Sequence, residues 1–283
     1  MKSYWLRHFL ISSLRDIDIK GFRKLSLLLP KILLPRPENV NPYVLKNLYG
    51  FLLEIDPKND WGVERSLHET GTYEKGVLTF LSNCLKKGDV FIDVGANIGL
   101  MAIHASRCVG NTGKVIAVEA NPLTIPILEK NVSLNDSSNI SIVNKALGAV
   151  QGKGIIYENR SVNRGGASLV INQDAEKGHS IDILPLDEVF DHASSVKVIK
   201  IDVEGYELEV LKGAQKLIAA HRPILIVETS AEVKVNHDVV AFVKSMHNYK
   251  VCIFSKGKER KSKIQELQNL NAIPVHDNLV FLP

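Results

Sequence analysis

Asp89-Val-Phe-Ile-Asp93-Val-Gly95-Ala-Asn97-Ile-Gly99 is the stretch on which the fold turns. The apolar run Val90–Val94 predicts a buried strand. Gly95 and Gly99 predict a tight turn, and the spacing of Met101, Ile103 and Ala105 predicts a helix leaving it. The same alternation continues outward. Val115–Val118 reads as a second strand and Leu123 to Leu134 as a helix; Ile140–Val143, Val196–Ile201 and Ile224–Val227 read as further strands, and Val251–Phe254 and Leu279–Leu282 complete the set. Continuous apolar strands separated by amphipathic helices predict an α/β fold, a mostly parallel sheet covered on both faces.

Ligands of such sheets bind beyond the carboxyl ends of the strands, where the glycine turn lies. A dinucleotide site would follow Gly-x-Gly-x-x-Gly, but the third position here is Asn97. Asp93 stands immediately before the turn, where a carboxylate repels pyrophosphate and suits a cation. S-adenosylmethionine, with its ammonium and sulfonium, fits that requirement. The second strand ends at Glu119, followed by Ala120 and Asn121. An acidic residue there accepts hydrogen bonds from ribose hydroxyls, in this cofactor as in nucleotides generally. Ala146 and Leu147, after the third strand, fall where adenine would stack, and packing explains them equally well.

The second informative run is Lys200-Ile-Asp202-Val-Glu204-Gly205-Tyr206-Glu207, continuing to Leu211-Lys212-Gly213-Ala214. Alternation puts Lys200 and Asp202 on one face of a central strand, where charge is costly unless paired or functional. Two readings stand for the carboxylates. Either Asp202 or Glu204 is a general base, with Lys200 orienting or balancing it, or Asp202 holds the cofactor ammonium while Glu204 caps the following helix. Asp202, Glu204 and Glu228 could converge on a divalent ion, but linear spacing does not demand one and no metal is expected.

Taken together, these runs resemble the FkbM-type methyltransferases. The hallmark is Lys200-Ile-Asp202-Val-Glu204-Gly205-x-Glu207 with Leu211-x-Gly213-Ala214. Asp93 to Gly99, Glu119 with Asn121-Pro122, Leu186-Asp187, and Arg222-Pro223 through Glu228 also match in order. The resemblance runs from about Glu69 to the last residue and leaves 1–60 uncovered. It implies a class I, Rossmann-like methyltransferase sheet of seven strands whose last strand, Asn278–Leu282, is antiparallel. It also implies transfer of a methyl group to a hydroxyl of a sugar, glycan or natural product. By that similarity Asp93, Gly95, Asn97, Gly99 and Glu119 hold S-adenosylmethionine, and Asp202 and Glu204 lie beside the methyl group and acceptor.

Composition agrees with a globular chain: 283 residues, 45% hydrophobic and 23% charged. Residues 1–60 read as a basic, mostly helical N-terminal segment and 61–283 as the methyltransferase domain, with a glycine-rich insertion at 148–195 near the acceptor. The insertion is expected to hold a strand pair, with pieces at Ile155–Tyr157 and Ile181–Leu184, and Ser168 within it is a candidate acceptor contact. Glu228 and His276 are further substrate-binding candidates. Glu69 and Glu74, flanking Tyr73, could close over the cofactor or equally be solvated at the surface. His104 reads as packing, and Lys256–Lys263 as a solvated loop.

Residues 1–35 hold seven Lys and Arg against two Asp. They read as a helical cap on the domain or, alternatively, as a basic amphipathic contact with an anionic membrane surface. Nothing in 1–35 has signal-peptide form, and no run is long enough to span a bilayer, so a cytoplasmic protein, peripheral to a membrane if that contact forms, is expected. Cys84, Cys108 and Cys252 lack metal or disulfide spacing. A small-molecule or carbohydrate acceptor is expected, and nucleic acid is not. The competing functions are a non-catalytic cofactor-binding scaffold and a nicotinamide-dependent oxidoreductase.

Overall fold

Val90–Val94 is buried along its whole length, as a strand covered on both faces must be. The computed structural model describes residues 4–17, 19–157, 178–190 and 195–283. Helices α1 (Trp5–Asp16) and α2 (Lys20–Leu33) come first, then the antiparallel strands β1 (Tyr43–Lys46) and β2 (Leu52–Ile55), then α3 (Val63–Thr70) and α4 (Lys75–Cys84). The alternating part follows with β3 (Val90–Val94), α5 (Leu100–Val109), β4 (Lys114–Val118), α6 (Ile125–Ser133) and β5 (Ile140–Val143). A separate small sheet holds β6 (Ala146–Leu147), β7 (Gly152–Tyr157) and β8 (Gly178–Leu184), with β7 and β8 antiparallel. After α7 (Leu186–Val189) come β9 (Val196–Ile201), α8 (Glu207–Lys212), α9 (Gln215–His221) and β10 (Ile224–Glu228). The last elements are α10 (Val233–Met246), β11 (Lys250–Phe254), β12 (Ile264–Glu266) and β13 (Asn278–Leu282).

The main sheet runs β12-β11-β13-β10-β9-β3-β4-β5. Strands β5, β4, β3, β9 and β10 are parallel, and β13 is antiparallel to both β10 and β11. The antiparallel last strand is as expected. The count is not seven: among the described residues the sheet has eight strands, because three residues of β12 pair antiparallel with the β11 edge. Ile264-Gln-Glu266 carries one apolar residue, so its sequence holds no strand pattern.

The period of two along the strands divides the core. Phe91, Val115, Ala117, Val198 and Ile226 face α4 and α5, while Ile92, Val94, Ile116, Ile199, Ile201 and Val227 face the helices α8 to α10. Asp93 and Lys200 fall on the α4 side and are direct cross-strand partners. A carboxylate and an ammonium thus replace apolar residues at the carboxyl end of one buried face.

The N-terminal strands join that side. Leu45, Phe51, Leu53 and Ile55 are buried against the same core as Leu78 and Phe91. The outer edge of β2 is closed by α6: Asn131 Oδ1 accepts from the Glu54 N–H at 2.7 Å, and Asn135 Oδ1 from the Leu52 N–H at 2.9 Å. The three cysteines are free thiols. Among the described residues, no helix is long and apolar enough to cross a membrane.

Candidate active site

The glycine turn is locked to the second motif by contact. Gly95 has φ +82°, and a Cβ there would sit 1.8 Å from the Asp202 carbonyl oxygen. Only glycine allows both the left-handed backbone and that approach. The turn and the end of β9 therefore form one wall of a cleft. Asp93, Gly95, Asn97, Glu119, Ala120, Ala146, Leu147, Lys200, Asp202, Glu204 and Glu228 all line it. Of the sequence candidates, Gly99 and Asn121 stand just behind the lining. Gly99 is the residue before α5, and the Asn121 N–H donates to Glu119 Oε1 at 2.8 Å.

Glu119 is held at both oxygens, since the Asn97 N–H donates to Oε2 at 2.8 Å. Burial pushes its carboxyl up, opposed by donors from Asn121, Asn97 and Ala120. A carboxylate has about four lone-pair positions, so with three backbone donors capacity remains for a ribose hydroxyl. Asp93 differs. Its carboxyl is buried, and neither oxygen has a hydrogen-bond partner. Burial is the largest influence on it and raises it to about 7; the Lys200 charge pulls down, while Asp202, Glu74 and Glu119 push up. The Asn97 side-chain oxygen is likewise buried without a partner. Unpaired acceptors in a cleft wall call for a donor or a cation.

Beneath them lies a charge cluster. Lys200 is 3% exposed and its ammonium sits 2.6 Å from Asp202 Oδ2 and 3.7 Å from Glu74 Oε2. Burial would discharge this ammonium, but Asp202, Glu74 and Asp93 outweigh burial and keep it charged. Asp202 feels the reverse balance. Burial raises it, and Lys200, Glu228 and Lys258 together bring it well below the usual carboxylate range. Glu228 goes up, to about 10, from burial and the adjacent Asp202 charge. Glu204 closes β9 in a left-handed conformation with φ +51° and is exposed at the cleft rim. Partial withdrawal from solvent at the rim, then the Asp202 and Glu207 charges, raises its carboxyl to about 7. Glu207 is the residue that caps the turn: its Oε1 accepts from the Gly205 N–H at 3.0 Å and the Val203 N–H at 3.3 Å.

Lys258 escaped the sequence reading, which places Glu74 without its partners. The loop Lys256–Lys263 is not simply solvated: Lys258 is 8% exposed, and its ammonium pairs with Glu74 Oε1 at 2.9 Å and with Glu228. Glu74 is fully buried at the head of α4 and, with Tyr73, lines the cleft, so it is not a solvated surface charge. Glu74, Asp202 and Glu228 bring one oxygen each within 4.8 Å of one another, so Glu74 takes the place expected of Glu204 beside Asp202 and Glu228. Lys200 and Lys258 already supply cations there. The pairing of residues 74 and 258 could have been sought only through their charges, since both lie in loops or helix ends that look solvated.

Other candidates lie elsewhere. His276 is exposed and borders a surface depression with Arg15 and Lys256, outside the cleft lining. Glu69 pairs with Arg65 at 3.2 Å. His104 is buried between the Ser82 hydroxyl and the Leu78 carbonyl, as packing requires. Ser168 lies outside the described residues.

Strand order, glycine turn and acidic strand ends are those of the class I methyltransferase fold. The profile of the Methyltransferase FkbM domain matches residues 93–251, more than half of the chain. The chain belongs to the FkbM methyltransferase family.

Two curated relatives share it in part. Hexuronic acid methyltransferase AglP of Haloferax volcanii is 33% identical over 143 residues, 50% of this chain and 56% of that protein. Methyltransferase sdnD of Sordaria araneosa is 26% identical over 163 residues, 47% of this chain and 62% of that protein. The match thus spans less than two thirds of either relative. Among solved structures, the methyltransferase FkbM of Methylobacillus flagellatus KT superposes with a TM-score of 0.47 at 15% identity, over 98% of this chain and 58% of that one.

The residues fit the cofactor of this class. The unpaired Asp93 carboxyl and Asn97 oxygen suit a cationic amino-acid end, and Glu119 suits the ribose. Ala146 and Leu147 offer apolar surface for a base.

Proposed function

We propose that this chain methylates a hydroxyl of a sugar, glycan or natural-product acceptor, with Glu204 as the general base. When bound, S-adenosylmethionine supplies an electrophilic methyl group on sulfonium. Asp93 holds the cofactor's cationic end, and Gly95, Asn97, Gly99, Ala120 and Asn121 shape the turn around it. Glu119 takes the ribose, and Ala146 and Leu147 flank the adenine.

The observation that carries the assignment is the contrast between two carboxyls two residues apart. Asp202 is kept ionised and low by the Lys200 ammonium at 2.6 Å, which makes it a poor proton acceptor and a good cation ligand. Glu204 is raised to about 7 at the open rim. A base works best when its pKa lies near the working pH. Glu204 therefore takes the acceptor's hydroxyl proton as the oxygen gains the methyl group. Lys200 fixes Asp202, and Glu228 completes the acceptor side of the cleft. The likeness to AglP, a hexuronic acid methyltransferase by name, supports an acidic sugar as acceptor.

The test is methyl transfer from isotopically labelled S-adenosylmethionine to a panel of hexuronic acid glycosides, neutral glycosides and small amines, with the product bond assigned by NMR. A labelled methyl ether on a sugar oxygen is expected. A labelled amine, or cofactor binding without transfer to any sugar, contradicts the proposal.

A further inference from the structure

Helix α1 is inside out. It turns His8, Ile11 and Ser12 toward the protein and leaves Trp5, Leu6, Phe9 and Leu10 exposed. A surface helix ordinarily buries its apolar stripe and wets its polar one. Here the polar stripe is the anchor. His8 Nε2 lies 2.8 Å from the His68 carbonyl, and the Lys75 ammonium donates to the Ser12 hydroxyl at 2.9 Å. Asp16 pairs with Lys75, and the Arg260 guanidinium donates to the Arg15 carbonyl at 2.9 Å. Helix α2 packs beside α1, tied by Arg7 to the Leu33 carbonyl, and buries Ser26 while exposing Phe22, Leu25, Leu27, Leu28 and Ile32.

The exposure is concentrated. Of the 18 large hydrophobic residues exposed among the described residues, 11 lie between Trp5 and Ile32, with Leu6 at 73% and Ile32 at 74%. Scattered exposed hydrophobics need no account, but a continuous apolar face marks an interaction surface. Charge chooses the occupant. Arg7, Lys24 and Lys31 are exposed on the same pair of helices, whereas Asp16 is turned inward onto Lys75. Exposed apolar side chains, a Trp stacked on Phe9 and flanking cations match an anionic lipid surface. With helices of 12 and 14 residues, contact is in the plane of the interface.

We propose that α1 and α2 form a docking face for an anionic lipid bilayer, with Trp5, Phe9, Leu28 and Ile32 entering the interface and Lys24 and Lys31 meeting the headgroups. This rests on the helical pair and is independent of the methyl-transfer reading.

The experiment is co-sedimentation of the full chain with phosphatidylcholine vesicles, alone and with about 30% phosphatidylglycerol. Light scattering of the lipid-free protein is followed in parallel. Binding to the anionic vesicles alone, weakened at about 0.5 M salt, is expected. Lys24→Gln with Lys31→Gln should weaken it about thirtyfold, taking roughly 1 kcal/mol for each lysine. Leu28→Ser with Ile32→Ser should weaken it at least about a hundredfold, with circular dichroism unchanged. In a Trp61→Phe background, Trp5 emission should shift blue on anionic vesicles and be quenched by brominated lipid. No binding to either vesicle overturns the proposal, as does equal binding to both with no effect of the lysine changes. A dimer abolished by the Leu28 and Ile32 changes, without vesicle binding, assigns the face to a second copy and also overturns it.

Discussion

The cleft floor and the N-terminal helical pair break the same rule in opposite directions. At the floor, Glu74, Asp93, Lys200 and Lys258 carry charge where the sheet is otherwise apolar. At the helical pair, apolar side chains stand where charge would be usual. The floor is over-determined: strand register sets Asp93 beside Lys200, and Lys200 bridges Asp202 and Glu74. Removing one member strands another. The exposed face of the pair has no such mutual dependence, so its residues should be individually dispensable to folding. Buried charge of this kind is built for a ligand inside the fold, and exposed apolar surface for a partner outside it.

That contrast can be broken most decisively at the rim. Glu204→Gln should lower kcat by about a hundred- to ten-thousandfold while cofactor affinity, measured by calorimetry, is kept. Glu204 is raised from 4.5 to about 7 and acts deprotonated, so wild-type kcat should rise with pH up to about 7 and then level off. The variant's residual rate should lack that rise. A Glu204→Gln enzyme with unaltered kcat would return the base role to Asp202.

Next in size is Lys258→Met, which leaves the buried Glu74 carboxylate with only the more distant Lys200 ammonium and should cost about 3–5 kcal/mol in urea unfolding. Adding Glu74→Gln should recover part of that loss. Additive losses would show that the two residues are not coupled.

A smaller and opposite effect is expected at Asp93. Its folded carboxyl is raised from 3.8 to about 7, so its contribution to stability is present below about 3.8 and is lost as pH rises through about 7. Asp93→Asn should therefore stabilise the cofactor-free protein by a few kcal/mol at pH 8, with the gain vanishing near pH 4. Equal melting shifts at both pH values would contradict this.

Smallest of all, Leu28→Ser or Ile32→Ser should change stability by no more than about 0.5 kcal/mol, against about 2–5 kcal/mol for Leu78→Ala in the core. A large loss at Leu28 would mean that the face is structural.

The parts of the fold that were readable are those where chemistry is local. Asp93 to Gly99 and Lys200 to Glu207 declare themselves because each carries charge into an apolar strand end next to glycine. Strands β3, β4, β9 and β10 declare themselves by continuous apolar runs. What escaped depends on distance. Glu74 and Lys258 are separated by 184 positions, and each alone looks like a solvated charge. Edge strand β12 is set by its neighbour rather than by its own residues. Strands β1 and β2 give the core Leu45, Leu53 and Ile55, although runs of four residues hold too few periods to read. His276 lies close to the site along the chain, yet its exposed side chain is outside the cleft lining.

In the proposed function, the cleft holds S-adenosylmethionine through the unpaired Asp93 carboxyl. Calorimetric titration of the wild type and of Asp93→Asn at pH 8 tests it most directly. Saturable binding to the wild type is expected, with its loss in a variant that melts higher than the parent. Undiminished binding to Asp93→Asn, or no binding to a folded wild type, would contradict it.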